Sequence, residues 1–218
     1  MNTYRNILAL AASLVLVAGC DYFKPADPQI PSGPTLVGDY SDPELTLQSI
    51  VQAVQAKGQS GAASVYSTAF ADSTLHRDIP NFHQYFWSQD IARWVASGRP
   101  VPSDWNFRSE SQFYDKGTFS LIQLKPGSYQ LTWEAEPNNP DRIGSPTTLL
   151  HRHYNLFSLG TDQTVTDIVA RGYADLTFQK ASDGLWYITR WDDREDPVPY
   201  NETLTNVTWG QRRLEYGQ

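Results

Sequence analysis

Cysteine is nearly absent. Cys20 is the single one in 218 residues, which excludes an internal disulfide framework and any multi-thiolate zinc or iron–sulfur site. Positive charge is in deficit as well, with 17 Lys and Arg against 24 Asp and Glu and a formal charge of -7. That balance argues against nucleic acid, because phosphate binding needs clustered Lys and Arg. No Gly-rich phosphate loop, no nucleophile elbow and no zinc-protease helix motif occurs. No apolar run reaches the roughly 20 residues of a permanent membrane span. The length fits one globular domain with appendages, since a domain takes about 100–200 residues.

What is present begins with an address. Arg5 precedes an apolar run from Ile7 to Ala12, which Ser13 interrupts and Leu14 to Ala18 resume. A short positive start followed by a short apolar core reads as an export signal. The run ends Leu16-Val17-Ala18-Gly19-Cys20. This ending resembles the lipobox of bacterial lipoprotein signals, in which small residues precede an obligatory Cys. The resemblance implies cleavage before Cys20 and a lipidated Cys20 carrying diacylglyceryl and palmitate-type chains. Each buried methylene contributes about 0.8 kcal/mol of membrane affinity, so two chains hold stably where one does not. An ordinary signal peptide with a chance Cys is the bland alternative.

Pro25, Pro28, Pro31 and Pro34 then recur at almost every third position, with Ser32, Gly33 and Gly38 nearby. Such spacing favours extended backbone and a spacer off the bilayer. The expected organisation is a signal peptide over 1–19, lipidated Cys20 and a Pro-rich tether over 20–40, and a single domain over 41–218. The expected location is the bacterial cell envelope, lipid-anchored and facing the periplasm or the exterior.

Helices come first in the body. Ser41-Asp42-Pro43-Glu44 is a helix start, and Leu47, Ile50, Val51 and Val54 follow at helical spacing until Gly58. The pattern predicts a short helix from Gly61 to Ala71 and another from Ser88 to Ala96. After Phe107 the period changes to two. Strands are predicted over Phe119 to Leu124, around Tyr129 to Ala135, over Leu149 to Leu159 and over Thr164 to Lys180. Asp183-Gly184 turns the last into Leu185 to Trp191. Thr208-Trp209-Gly210, Leu214 and Tyr216 read as a closing segment that packs back on the domain. Helices followed by a run of strands is the α+β pattern.

Tyr173-Ala-Asp-Leu-Thr-Phe178, then Asp183-Gly184-Leu-Trp186-Tyr-Ile188-Thr-Arg190-Trp191-Asp192-Asp193, resembles the closing hairpin of nuclear transport factor 2-like proteins. The helix from Pro43 to Lys57, and the Phe70-Ala71-Asp72 end of the short helix after it, match the same family's opening. The resemblance implies a strongly curved antiparallel sheet with N-terminal helices packed on it, a cystatin-like cone with a conical pocket. Members include isomerases, dehydratases, transport adaptors and lipoproteins of no known activity, so it implies a pocket and not a reaction.

Candidate chemistry is sparse. Alternation places Trp186, Ile188 and Arg190 on one strand face, with Leu185, Tyr187, Thr189 and Trp191 on the other. Arg190, Trp186, Tyr154 and Asp175 are the candidate ligand-binding residues, with Arg190 as the anchor for a carboxylate. An Arg190 paired with Asp175 or Asp192 is the structural alternative. His151 and His153, two apart on a strand, could supply two metal ligands, but no third is marked. Asp192-Asp193 with Arg194, Glu195 and Asp196 reads as a solvated strand end. His76 or His83 could act as a base in a cleft. No catalytic residue and no cofactor is assigned. The expected function is a non-catalytic ligand-binding or protein-interaction module for a small apolar or aromatic ligand or an envelope protein. The alternatives are an isomerase or dehydratase using the pocket, and a filled cone without one.

Overall fold

The computed structural model describes residues 35–100, 104–115, 128–160, 162–200 and 206–216. The expected strand from Phe119 to Leu124, the signal and Cys20 lie outside them. The elements run α1 (Pro43–Gln55), α2 (Ala62–Thr68), β1 (His83–Tyr85), α3 (Ser88–Ala96), α4 (Phe107–Asp115), β2 (Ser128–Ala135), β3 (Thr147–Leu159), β4 (Val165–Lys180), β5 (Trp186–Glu195) and α5 (Trp209–Tyr216). Among the described residues no helix is long and apolar enough to cross a membrane. The architecture is α+β, as expected: α1 to α4, with the short β1 among them, precede the antiparallel strands β2 to β5.

The start of α1 follows its sequence signal. Asp42 has extended backbone and accepts the Glu44 amide at 2.8 Å, and Pro43 fills the first turn, where its missing N–H costs nothing. Leu47, Ile50, Ala53 and Val54 form one buried stripe. The Thr46 hydroxyl reaches the Trp186 carbonyl at 3.2 Å and ties the helix to β5.

The sheet order is β1-β5-β4-β3-β2. β2 to β5 form an antiparallel meander, while β1 runs parallel to β5. That one parallel edge arises because the chain returns from the helical layer: Phe70 already bridges Ile188 in parallel before β1 starts. The β4–β5 turn closes as predicted, with Gly184 at φ 85° and the Asp183 carboxylate accepting the Leu185 amide at 2.9 Å.

β-bulges bend the long strands around the helices. The registers break at Leu156/Phe157, Ser158/Leu159 and Thr177/Phe178. The last break corrects the expected facing of β5. Phe178 pairs with Ile188 and Thr177 with Arg190, so Thr189 is an extra residue. Alternation slips by one, Ile188 and Trp191 both turn inward with no exposure, and Arg190 turns outward. The region after Phe107 also differs from expectation. It opens as helix α4, started by Asn106 accepting the Arg108 amide at 3.0 Å, before the strands begin.

The inner face of the sheet carries Leu150, Tyr154 and Leu156 of β3, Ala170, Ala174, Leu176 and Phe178 of β4, and Ile188 and Trp191 of β5 in one core with α1 and α2. Gly172 of β4 stands opposite Tyr154. A Cβ there would lie 2.6 Å from the Arg194 carbonyl and 2.7 Å from the Tyr154 hydroxyl. Gly172→Ala should therefore lower unfolding stability by about 1–3 kcal/mol, the cost of overpacking. Urea unfolding measures it, and an unchanged midpoint would contradict this packing.

Candidate functional site

Two inward side chains of the sheet meet the start of the last helix. Asp193 of β5 accepts the Tyr154 hydroxyl at 2.8 Å through Oδ1. Tyr154 Oη in turn accepts the Trp209 amide at 2.8 Å, and Asp193 Oδ2 accepts the Gly210 amide. These are first-turn amides of α5, which have no partner inside the helix and favour negative charge beside them. Thr208 completes the start of α5: its hydroxyl accepts the Gln211 amide at 2.9 Å and donates to Asp90 at 2.6 Å. Gly210 makes this a close approach: a Cβ would stand 3.0 Å from Asp193 Oδ2.

Burial pushes the Asp193 carboxyl up to about 7, opposed by the Arg213 charge and by the bonds from Tyr154 and Gly210. Burial also raises Asp90, with Thr208 and Arg93 working against it. The Tyr154 phenol lies well above its ordinary value, through burial first and the Asp193 charge second. The expected solvated run at the end of β5 is thus corrected at two positions: Asp193 and Asp196 are both buried, Asp196 against His153 and Arg171. Strand alternation after the bulge turns Asp193 in while Asp192 faces out, and α5 covers Asp193.

One turn along α5, Arg213 meets Glu110 of α4. Nε and Nη2 reach the two carboxylate oxygens at 2.7 Å each, and neither side chain has any exposure. Glu110 also accepts the Tyr66 hydroxyl at 2.5 Å and the Trp105 indole N–H at 2.7 Å. Burial works against the charge of Arg213, but Glu110 outweighs it and the guanidinium is held above its usual range.

Aromatic rings line the space between these groups. The Arg213 guanidinium lies 4.2 Å from the Trp191 ring. Ring centroids of Trp191 and Trp209 are 5.5 Å apart, those of Trp133 and Trp191 also 5.5 Å, and those of Trp133 and Trp209 6.5 Å. Four N–H donors here are buried without a partner in this structure: Nε1 of Trp133, Trp191 and Trp209, and Nη1 of Arg213. Each can only donate, and a buried donor left unpaired costs about 1–3 kcal/mol. The inner site therefore holds more donors than acceptors. A carboxyl near neutrality beside a phenol is the equipment of acid–base chemistry. In this arrangement both Asp193 oxygens and the Tyr154 hydroxyl are engaged by the chain's own bonds.

The structure separates the four residues proposed from sequence. Tyr154 is in the inner site. Trp186 is buried where β5 begins, its amide bonded to the Tyr40 carbonyl at 2.8 Å. Arg190 is half-exposed on the outer face. It pairs with Asp192 at 2.5 and 2.6 Å and lies 3.9 Å from the Tyr85 ring, so the structural alternative describes its contacts. Asp175 is also on the outer face, 2.8 Å from His151 Nδ1. His153 bonds Asp196 at 2.9 Å, His83 pairs with Asp104 at 2.9 Å, and His76 packs 4.2 Å from the Tyr187 ring.

Sequence reasoning missed Glu110, Asp193 and Arg213. Asp193 could have been found from alternation had the bulge been anticipated. Arg213, beside Arg212 and inside a short polar tail, carried no signal.

Openings among the described residues lie elsewhere. A groove of about 260 Å³ beside α3 and α5 is lined by Asp90, Arg93, Trp94 and Arg99 among others, and a second of about 470 Å³ by Tyr129, Leu159 and Gln163 among others. Neither is lined by Asp193 or Tyr154.

No family model matches the chain, and no curated protein matches it in sequence. Solved structures do resemble it. A nuclear transport factor 2-like family protein from Streptomyces avermitilis, a candidate dehydratase, matches at a TM-score of 0.46 and 13% identity, covering 73% of this chain and 97% of its own. A nuclear transport factor 2-like protein with a cystatin-like fold from Novosphingobium aromaticivorans gives 0.46 and 10% identity, covering 88% and 90%. A nuclear transport factor 2-like superfamily protein from Salmonella enterica serovar Typhimurium gives 0.43 and 8%, covering 72% and 90%.

The Asp193 carboxyl predicts a sign for pH dependence. Its ordinary value is 3.8 and its folded value about 7, so the folded chain holds a proton that the unfolded chain releases between them. This group's contribution to stability falls as pH rises through that window and is level above it. Asp193→Asn should remove that fall. Urea midpoints of both proteins across the window measure it, and identical pH profiles would contradict the burial of a protonated Asp193.

Proposed function

We propose that this chain is a lipid-anchored envelope protein whose nuclear transport factor 2-like cone is a non-catalytic binding module. Its ligand is a small aromatic or apolar molecule with a hydrogen-bond acceptor, such as a carboxylate. Cys20 is the lipidated residue, residues 1–19 are removed as a signal, and the Pro-rich tether holds the domain away from the bilayer. The domain faces the periplasm or the exterior. The lipobox ending Val17-Ala18-Gly19-Cys20 supports the anchor.

One observation carries the binding reading: four buried, unpartnered N–H donors set among the rings of Trp133, Trp191 and Trp209. Rings supply apolar area and a stacking face, and donors without acceptors suit an acceptor on the ligand. Trp209 of α5 occupies part of this space, so it acts as the resident aromatic group and a ligand competes with it. A second reading, isomerase- or dehydratase-type acid–base chemistry, is favoured by the Asp193 carboxyl held near neutrality beside Tyr154. It requires α5 to withdraw first.

Two measurements test this. Metabolic palmitate labelling should mark the wild type and not Cys20→Ala; equal labelling removes the anchor. Trp209→Ala should destabilise the domain by about 3–5 kcal/mol. Indole-3-carboxylate should then raise its melting temperature in a dose-dependent way. A natively folded Trp209→Ala that gains nothing from the aromatic acid contradicts the binding reading.

A further inference from the structure

A second polar cluster lies on the outer face, separate from the inner site. His151 and Asp175 stand opposite each other in the β3–β4 ladder, so both project to one face at one height. Glu136 follows β2 directly, and its amide bonds the His151 carbonyl at 3.1 Å, which brings its carboxylate to the same place. One ligand-type atom from each of Glu136, His151 and Asp175 lies within 4.8 Å of the others. The imidazole is almost sealed, with His151 at 4% exposure and no partner for Nε2.

The hydrogen bonds around Nδ1 do not close. Nδ1 lies 2.8 Å from Asp175 Oδ1 and 2.8 Å from Asn139 Nδ2. Facing the carboxylate it must carry a proton, and facing the amide N–H it must be bare. Turning the Asn139 amide over lets its oxygen accept from Nδ1–H, but sets that oxygen 3.4 Å from the Glu136 Oε2 carboxylate oxygen. A cation at this point removes the conflict. It binds bare Nδ1 and Asp175 together, since two ligands each about 2.0–2.2 Å from one ion stand roughly 3 Å apart. The turned Asn139 oxygen and Glu136 would then be further ligands instead of repelling neighbours.

Positive charge is already drawn here. Arg194 Nη2 contacts Glu136 and reaches Asp175 at 3.4 Å. Its side chain is 35% exposed and its guanidinium lies 4.7 Å from the Tyr173 ring, so it can swing to solvent without breaking the core. We propose that Glu136, His151 and Asp175 form a binding site for a divalent cation of the zinc class, held in competition with Arg194. One imidazole nitrogen with two carboxylates suits zinc, whereas calcium and magnesium take oxygen alone. His153, the other histidine on this face, is not part of the site.

The test is calorimetric titration of zinc chloride into the chelator-stripped full chain carrying Cys20→Ser, so that no thiolate competes. One zinc per chain is expected. His151→Ala and Asp175→Asn should each weaken binding by about tenfold or more. Arg194→Ala should tighten it, because the competing cation is gone, and His153→Ala should leave it unchanged. If His151→Ala does not fold, Glu136→Gln reads the same site from outside the strands. Absence of zinc binding overturns the proposal. So does zinc whose affinity ignores Glu136, His151 and Asp175, and so does weaker binding in Arg194→Ala.

Discussion

Two opposite charges without any solvent exposure, Arg213 and Glu110, join the last described helix of the domain to the fourth. Removing a charge from water costs several kcal/mol, so such a pair persists only when its geometry and hydrogen bonds are nearly complete. Here Glu110 takes two bonds from Arg213, one from Tyr66 and one from Trp105. Losing either partner would leave the other buried and uncompensated, at about 3–5 kcal/mol. α5 is thereby fixed in place, and the rest of the inner site follows from where it lies. With Arg213 on Trp191, the start of α5 meets Tyr154 and Asp193, and Trp209 enters the ring cluster.

The sheet thus presents two chemistries on its two faces. Inside, rings and donors surround one carboxyl whose proton is retained to near neutrality. Outside, His151, Asp175, Glu136 and Arg194 form a charged cluster. The separation comes from strand alternation: Tyr154 and Asp193 point in, while His153, Asp192 and Arg194 point out. A pocket lined by Arg190 does not follow from this backbone, because one extra residue, Thr189, reverses the phase of β5.

Much of the fold was legible because local rules and tertiary packing agreed. Asp42-Pro43-Glu44 starts α1, Asp183-Gly184 turns the final hairpin, and α3 runs over the predicted Ser88–Ala96. The closing segment packs on the domain, though its helical form was not foreseen. α4 was missed because Phe107–Asp115 is mostly polar on its own, and its decisive residue, Glu110, has its charge partner 103 positions away. Asp193 hid inside a charge run that reads as solvated, although Asp196 of the same run is buried too. The outer cluster was half visible: His151 was a candidate, but Glu136 joins it only through the β2–β3 register.

The central claim is that the pair between Arg213 and Glu110 holds α5 as part of the core. Amide hydrogen exchange at Trp209 and Gly210 tests it most directly, because those N–H groups donate to Tyr154 and Asp193. The account predicts that both exchange far more slowly than the amides of an unstructured segment. Exchange of Trp209 and Gly210 at the rate of an unstructured tail would contradict it.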